Sequence, residues 1–341
     1  MSLHEPGSKS APVQITEDEA ALYDRQIRLW GLEAQQKMRN ATIVIFTLRG
    51  TATEAIKNIV LAGIGRLVVV DDALVSPEDL GAGFFFRDED VGRKRADAAK
   101  PRIESLNPLV TVDVVPELPR TDPELDALLE RVDLVCLTDG DRDTCLRINA
   151  ACRRRHVPLY CGGTFGLLGY AFCDLLSHDY ITPDRAAASK DGAPRNVKSS
   201  TTYVPLEKAL QHSWASLTRR QTKELNPAVV FTVLAIWEFE HLQQGSLPSN
   251  PLDAEELARI MRDLVEHAGV NKQWLAEIPR ELLECAATTA SHELSPVCAV
   301  VGGFLAQDIL KTLSAREAPL ANFFTFDGNT GAATVARLGM P

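Results

Sequence analysis

Apolar and polar positions along the first half of the chain fall into two alternating patterns. Short runs that are apolar nearly throughout, at 42–46, 66–70, 110–115 and 133–138, read as strands buried on both faces, and a further strand falls around 158–161. Between them lie stretches with helical spacing. These are 53–62 with Gly63 placed as a cap, 92–105 stopped at Asn107-Pro108, 123–131, and 141–156. Strands separated by helices in this way predict a mostly parallel, doubly wound α/β sheet. A helix ahead of the first strand starts at Thr16, which forms a capping box with Glu19. It places Leu22, Ile27, Trp30, Ala34 and Met38 near one apolar stripe and spaces Asp24 to pair with Arg28.

The pattern changes after Leu176. Residues 182–202 are polar, rich in Gly, Pro and Ser and without apolar periodicity, and predict a mobile loop. Residues 206–292 predict about four amphipathic helices, broken at Asn226-Pro227, at 245–251 and near Pro279. The stretch 296–313 is apolar nearly all round and predicts a buried helix. Segments 323–326 and 334–338 flank Asp327-Gly328-Asn329 as a hairpin. The expected organisation is a flexible tail over 1–15, an α/β domain from 16–176 and 293–341, and a helical insertion over 177–294.

A chain of 341 residues has room for two domains or one with a large insertion. Its net charge of -10 argues against a nucleic-acid face. The most apolar stretch, 296–313, carries Gln307, Asp308 and Lys311, so no membrane span is expected, and the polar N-terminus lacks a signal-peptide core. Seven cysteines without C-x-x-C spacing suggest a reduced cytosolic or nuclear protein with no disulfide framework and no metal site, and the histidines lack ligand spacing. Cys298 on the apolar helix reads as core, and Cys285 is the one thiol worth testing. Trp214, Trp237 and Trp274 read as core anchors of a small subdomain, and Arg153-Arg154-Arg155 as a complement to a helix C-terminus.

The strand, turn and helix at 42–62 occupy the place where a doubly wound fold binds a nucleotide. Phosphates need bare backbone there, which glycines supply. The turn reads Phe46-Thr47-Leu48-Arg49-Gly50-Thr51-Ala52-Thr53-Glu54 and keeps one glycine. From the turn alone, a plain strand-to-helix connection is favoured over a working site.

The segment Tyr23-Asp24-Arg25-Gln26-Ile27-Arg28-Leu29-Trp30-Gly31 resembles a signature at the start of the eukaryotic ubiquitin-like-protein activating enzymes. Three more segments fit that family in order: Val91-Gly92-Arg93-Lys94-Arg95-Ala96, Gly162-Gly163-Thr164-Phe165-Gly166, and Ser295-Pro296-Val297-Cys298-Ala299-Val300-Val301-Gly302-Gly303. The resemblance covers about 17–176 and 293–341 and, in length and detail, is to the smaller, non-catalytic subunits of the SUMO-activating type. It implies a Rossmann-like adenylation domain of the ThiF/MoeB type. In that family the active subunit binds MgATP, adenylates the modifier's C-terminal glycine, and passes it to a cysteine as a thioester.

Carried over residue by residue, most of the ATP pocket is missing. The family's glycine turn falls on Thr47, Arg49, Gly50 and Ala52, and its Asn-Arg-Gln triplet on Gly81-Ala82-Gly83. Its lysine falls on Arg95, its Asp-Asn on Asp139-Gly140, and a further arginine on Thr144; Asp71 and Asp139 survive. Each loss removes charge or donors needed around a triphosphate. The resemblance therefore implies a chain that holds no nucleotide itself. It implies a heterodimer with a larger catalytic subunit that carries MgATP, acting on SUMO and, through the complex, with the SUMO-conjugating enzyme, in the nucleus and also the cytoplasm. It assigns Arg25 an arginine-finger role in trans at the partner's ATP site. Helix context alone favours a solvated arginine or one paired with Asp24. Three other readings stay open: a self-sufficient ThiF/MoeB-like adenylyltransferase or nicotinamide-dependent oxidoreductase, a corresponding subunit for another modifier such as the neddylation type, and a pure scaffold.

Overall fold

A computed structural model describes residues 12–183, 196–272, 275 and 278–340. Three short helices, α1 (Glu17–Leu22), α2 (Asp24–Trp30) and α3 (Leu32–Arg39), lead into β1 (Thr42–Phe46) and α4 (Gly50–Leu61). There follow β2 (Arg66–Val70), the single turn α5 (Asp79–Ala82), α6 (Arg95–Leu106), β3 (Thr111–Val115), α7 (Asp122–Leu128), β4 (Leu134–Thr138), α8 (Arg142–Arg155) and β5 (Leu159–Phe165). Strand β6 (Leu168–Asp174) turns back, and β7 (Ser177–Pro183) and β8 (Asn196–Thr202) form a separate ribbon. Helices α9 (Leu206–Leu210), α10 (Arg219–Glu224), α11 (Pro227–Leu242), α12 (Asp253–Ala268) and α13 (Arg280–Thr289) precede α14 (Ser295–Ser314), β9 (Phe323–Asp327) and β10 (Ala332–Ala336).

The main sheet has eight strands in the order β10-β9-β6-β5-β4-β1-β2-β3. The five strands from β3 to β5 are parallel, and β6, β9 and β10 continue the sheet antiparallel. The expected doubly wound sheet is present, extended by a strand the sequence reading lacks. Gly166, at φ +60, makes the tight turn that sends β6 back along β5. Alternate side chains of each strand feed two cores. Val44, Phe46, Val135 and Leu137 pack with α8 and α11, whereas Ile43, Ile45, Leu134 and Cys136 pack with α4, α6 and α14.

The N-terminal helix is not continuous. Its capping box forms as expected, but the helix breaks at Tyr23 and again at Gly31, whose φ is +88. The break turns Tyr23 inward and leaves Leu22, expected on the apolar stripe, 64% exposed. Residues 12–15, expected in the flexible tail, are tied to α3: the Val13 and Ile15 amides donate to Asn40 Oδ1 and Gln36 Oε1. Residues 1–11 lie outside the described residues.

The expected mobile loop over 182–202 is also revised. Residues 196–202 form β8, which pairs antiparallel with β7; the intervening 184–195 lie outside the described residues. The helical breaks fall where read, with Pro227 opening α11 after Asn226 and Pro279 preceding α13. Helix α11 is nearly all apolar up to Trp237, with Glu238, Glu240 and His241 confined to its C-terminal part, rather than amphipathic along its length. Its Trp237 meets Tyr170 of β6 and Phe323 of β9 edge-on, so this part of the insertion is a layer of the main core. Trp214 packs against Phe231, and Trp274 lies outside the described residues.

Helix α14 has a mean hydropathy of 1.3 and, by length and composition, could cross a membrane, against the sequence expectation. Here 56% of its most apolar 18 residues are buried, against α4, α3, β5 and β6, as in a core helix. It is not buried all round, since Ala299, Val300 and Gln307 stay exposed.

Candidate functional site

The turn between β1 and α4 keeps Gly50 as its one glycine. Thr47 sits at φ +65, a left-handed conformation that costs a β-branched residue about 1–2 kcal/mol. Its carbonyl accepts from Thr138 Oγ1 at 2.6 Å, which helps hold it there. The space above the turn is filled from within. A Cβ at Gly50 would lie 2.8 Å from the Ala82 methyl, 3.0 Å from Cys298 Sγ and 3.1 Å from Glu293 Oε1. Gly50 N, at the start of α4, donates to Glu293 Oε1 at 2.9 Å, and Arg49 pairs with the other oxygen of Glu293 at 3.5 Å. A carboxylate of the chain thus occupies the helix N-terminus that a phosphate would use. Ala52 is fully buried in the α4-side core.

Most of the other residues that the resemblance places at the pocket have partners within the chain. Asp71 accepts from the Leu48 and Ala73 amides at 2.6 and 2.8 Å. Arg95 is held by buried Asp79 at 2.9 Å. Thr144 belongs to the cap of α8, where its amide donates to Asp141 at 2.7 Å. Gly81 faces open space, and Gly83 packs under Phe86. Thr47, Arg49, Gly50, Ala82, Asp139 and Cys298 are thus brought together with Glu293, and Thr144 stands apart.

Asp139 accepts from Thr164 N at 3.0 Å through Oδ1, while its buried Oδ2 has no hydrogen-bond partner among the described residues. Burial, then the Glu293 charge, push the Asp139 carboxyl up to about 7; Arg49 opposes the shift. Burial likewise raises Glu293. Burial works against the Arg49 charge, but Glu293, Asp139 and Asp79 outweigh it and hold the guanidinium above its ordinary value. The folded chain holds the Asp139 proton up to about pH 7, whereas an unfolded aspartate releases it near pH ~4. Stability therefore falls as pH rises between those values. Asp139→Asn keeps an acceptor for Thr164 and cannot ionise. Urea unfolding from pH 5 to 8 should show a shallower fall for Asp139→Asn than for the wild type.

Arg25 has a different setting. It is exposed on α2 and makes no hydrogen bond or ion pair among the described residues, because Asp24 pairs with Arg28 at 2.8 Å. The alternative of an Asp24–Arg25 pair is thereby removed. Leu29, four residues on and on the same helix face, is 81% exposed. Cys298 is core, with burial pushing its thiol up to about 12. Cys285 is half-buried beside Asn329, and no base is bonded to its thiol among the described residues. The sequence reading missed Glu293, a single acidic residue 243 positions from its partner Gly50, with no local signal to mark it.

The chain belongs to the ThiF family, whose model matches residues 23–340. Among its relatives, SUMO-activating enzyme subunit 1 of Homo sapiens is 36% identical over 344 residues, covering 95% of this chain and 96% of that one. The protein of the same name from Danio rerio is 33% identical over 341 residues, with 94% and 95% covered. Among solved structures, SeMet PaaA is similar at a TM-score of 0.58 and 15% identity, covering 99% of this chain and 78% of that one. E. coli MccB with succinimide is similar at a TM-score of 0.56 and 13% identity, covering 93% and 71%. These two share the fold.

Proposed function

We propose that this chain is the non-catalytic subunit of a heterodimeric SUMO-activating enzyme. It supports adenylation of the SUMO C-terminus and thioester formation on the larger subunit, which binds MgATP. The assembled enzyme hands SUMO to the conjugating enzyme. The observation that carries this reading is a pairing of opposites: the turn between β1 and α4 is filled by Arg49 and Glu293, while Arg25 stands exposed and without a partner among the described residues. Leu22, Leu29 and Leu32, all exposed on the helices around Arg25, supply apolar area of the kind that marks a protein interface. The free cysteines suit a reducing nuclear and cytoplasmic setting. The relatives named above carry the SUMO-activating activity in their names.

The test is modifier-dependent ATP–pyrophosphate exchange by this chain alone, by the candidate catalytic subunit alone, and by the two mixed. Full activity is expected only in the mixture. Exchange by this chain alone would overturn the reading, because it would require ATP to displace the Arg49–Glu293 pair.

A further inference from the structure

The N-terminal helices are docked on the end of α4 by side-chain amides. The last turn of a helix leaves carbonyls without intrahelical partners. Here three successive carbonyls each accept from an amide side chain. Asn107 Nδ2 donates to Val60 O at 2.9 Å, Gln26 Nε2 to Leu61 O at 3.3 Å, and Gln35 Nε2 to Ala62 O at 2.8 Å. Trp30 Nε1 in turn donates to Gln35 Oε1 at 3.0 Å. Asn107 also donates to Tyr23 Oη at 2.8 Å. The Tyr23 ring lies so close to Gly63 that a Cβ there would be 2.5 Å from the hydroxyl. Tyr23 and Gln26 therefore flank Arg25 in the chain and face inward, while Arg25 faces out.

Helix α2 has seven residues, too few to hold a direction by itself in water. Its direction is set by what it is docked on. We propose that Tyr23, Gln26, Gln35 and Asn107 are positioning residues that fix how Arg25 leaves this subunit toward the partner's ATP site. This rests on the reading of Arg25 given above. An arginine that stabilises the charge developing on a departing pyrophosphate acts through geometry, and a displacement of about 1 Å at its base can cost up to ~100-fold.

The experiment uses the assembled heterodimer. Tyr23→Phe keeps the ring against Gly63 and removes only the acceptor for Asn107. Gln26→Met keeps length and removes the donor to Leu61. Each is made alone and together with Arg25→Ala. Each single variant should lower the kcat of exchange about tenfold, with KM for ATP changed less and with melting temperature and subunit affinity near wild type. In the Arg25→Ala background neither should cause a further loss. Equal losses in both backgrounds would make the clamp purely structural and overturn the proposal. So would normal exchange by Tyr23→Phe and Gln26→Met when Arg25→Ala is severely impaired. Normal exchange by Arg25→Ala itself would remove the arginine reading, and the proposal with it, from that single variant.

Discussion

Arg25→Ala should lower modifier-dependent ATP–pyrophosphate exchange by the assembled enzyme about a thousandfold, the lower end of what an arginine finger contributes. The magnitude follows from where the charge develops. Adenylation moves negative charge onto the departing pyrophosphate, and a planar guanidinium supplied from the neighbouring subunit offers donors that water cannot preorganise. No group among the described residues uses that charge. Arg25 is exposed and unpaired among the described residues, and its neighbour Asp24 is taken by Arg28. Alanine is therefore expected to change the stability of the isolated chain by no more than about 0.5 kcal/mol, the usual range for such a surface site. Arg25→Lys keeps the charge without the fork and should recover part of the rate. Exchange kinetics, melting temperature and subunit affinity are to be measured on the same preparations. Loss of rate with assembly intact supports the arginine in trans. An unchanged rate would make this chain a scaffold and leave the exposed arginine unexplained.

The sheet was legible because its parallel strands are buried on both faces and so read as apolar runs. Strand β6 was not, since Leu168–Asp174 lies beside another buried strand and only Gly166 marks the reversal. Strand β8 reads as loop because its Ser, Thr and Lys side chains are mostly exposed, and pairing across a ribbon leaves no apolar period. The N-terminal helix showed its start in Thr16 and Glu19 but not its breaks. The burial of Tyr23 is decided by Asn107 and Gly63, both distant in sequence. The candidate site was legible in its departures from the family pattern: Thr47, Arg49 and Ala52 stand where glycines are expected, and Arg95 where a lysine is. The contact that fills the turn was not legible. Glu293 acts through a tertiary contact that leaves no periodicity, spacing or composition to detect.

That contact carries the second large effect. Glu293→Ala should destabilise the chain by about 2–3 kcal/mol in urea unfolding. Breaking a buried ion pair from one side costs ~3–5 kcal/mol, and the lower figure applies because Arg49 keeps 28% of its side chain in water, against 6% for Glu293. Two losses combine in the variant. The Gly50 amide at the buried start of α4 loses its acceptor, and the Arg49 charge loses its nearest counter-ion. Glu293→Gln separates them, since its amide oxygen still accepts from Gly50 while the charge is gone, and it should cost less than alanine. The double variant Arg49→Met with Glu293→Met should recover the part of the stability that the unpaired charge costs, because replacing both members of a buried pair by apolar groups is often neutral, while the Gly50 amide still lacks its acceptor. Recovery would show that the pair fills the space above the turn as packing that other side chains can imitate. If the double variant instead loses as much as the sum of its parts, the carboxylate is needed for itself. The start of α4 would then still require an anion, now supplied from within the chain.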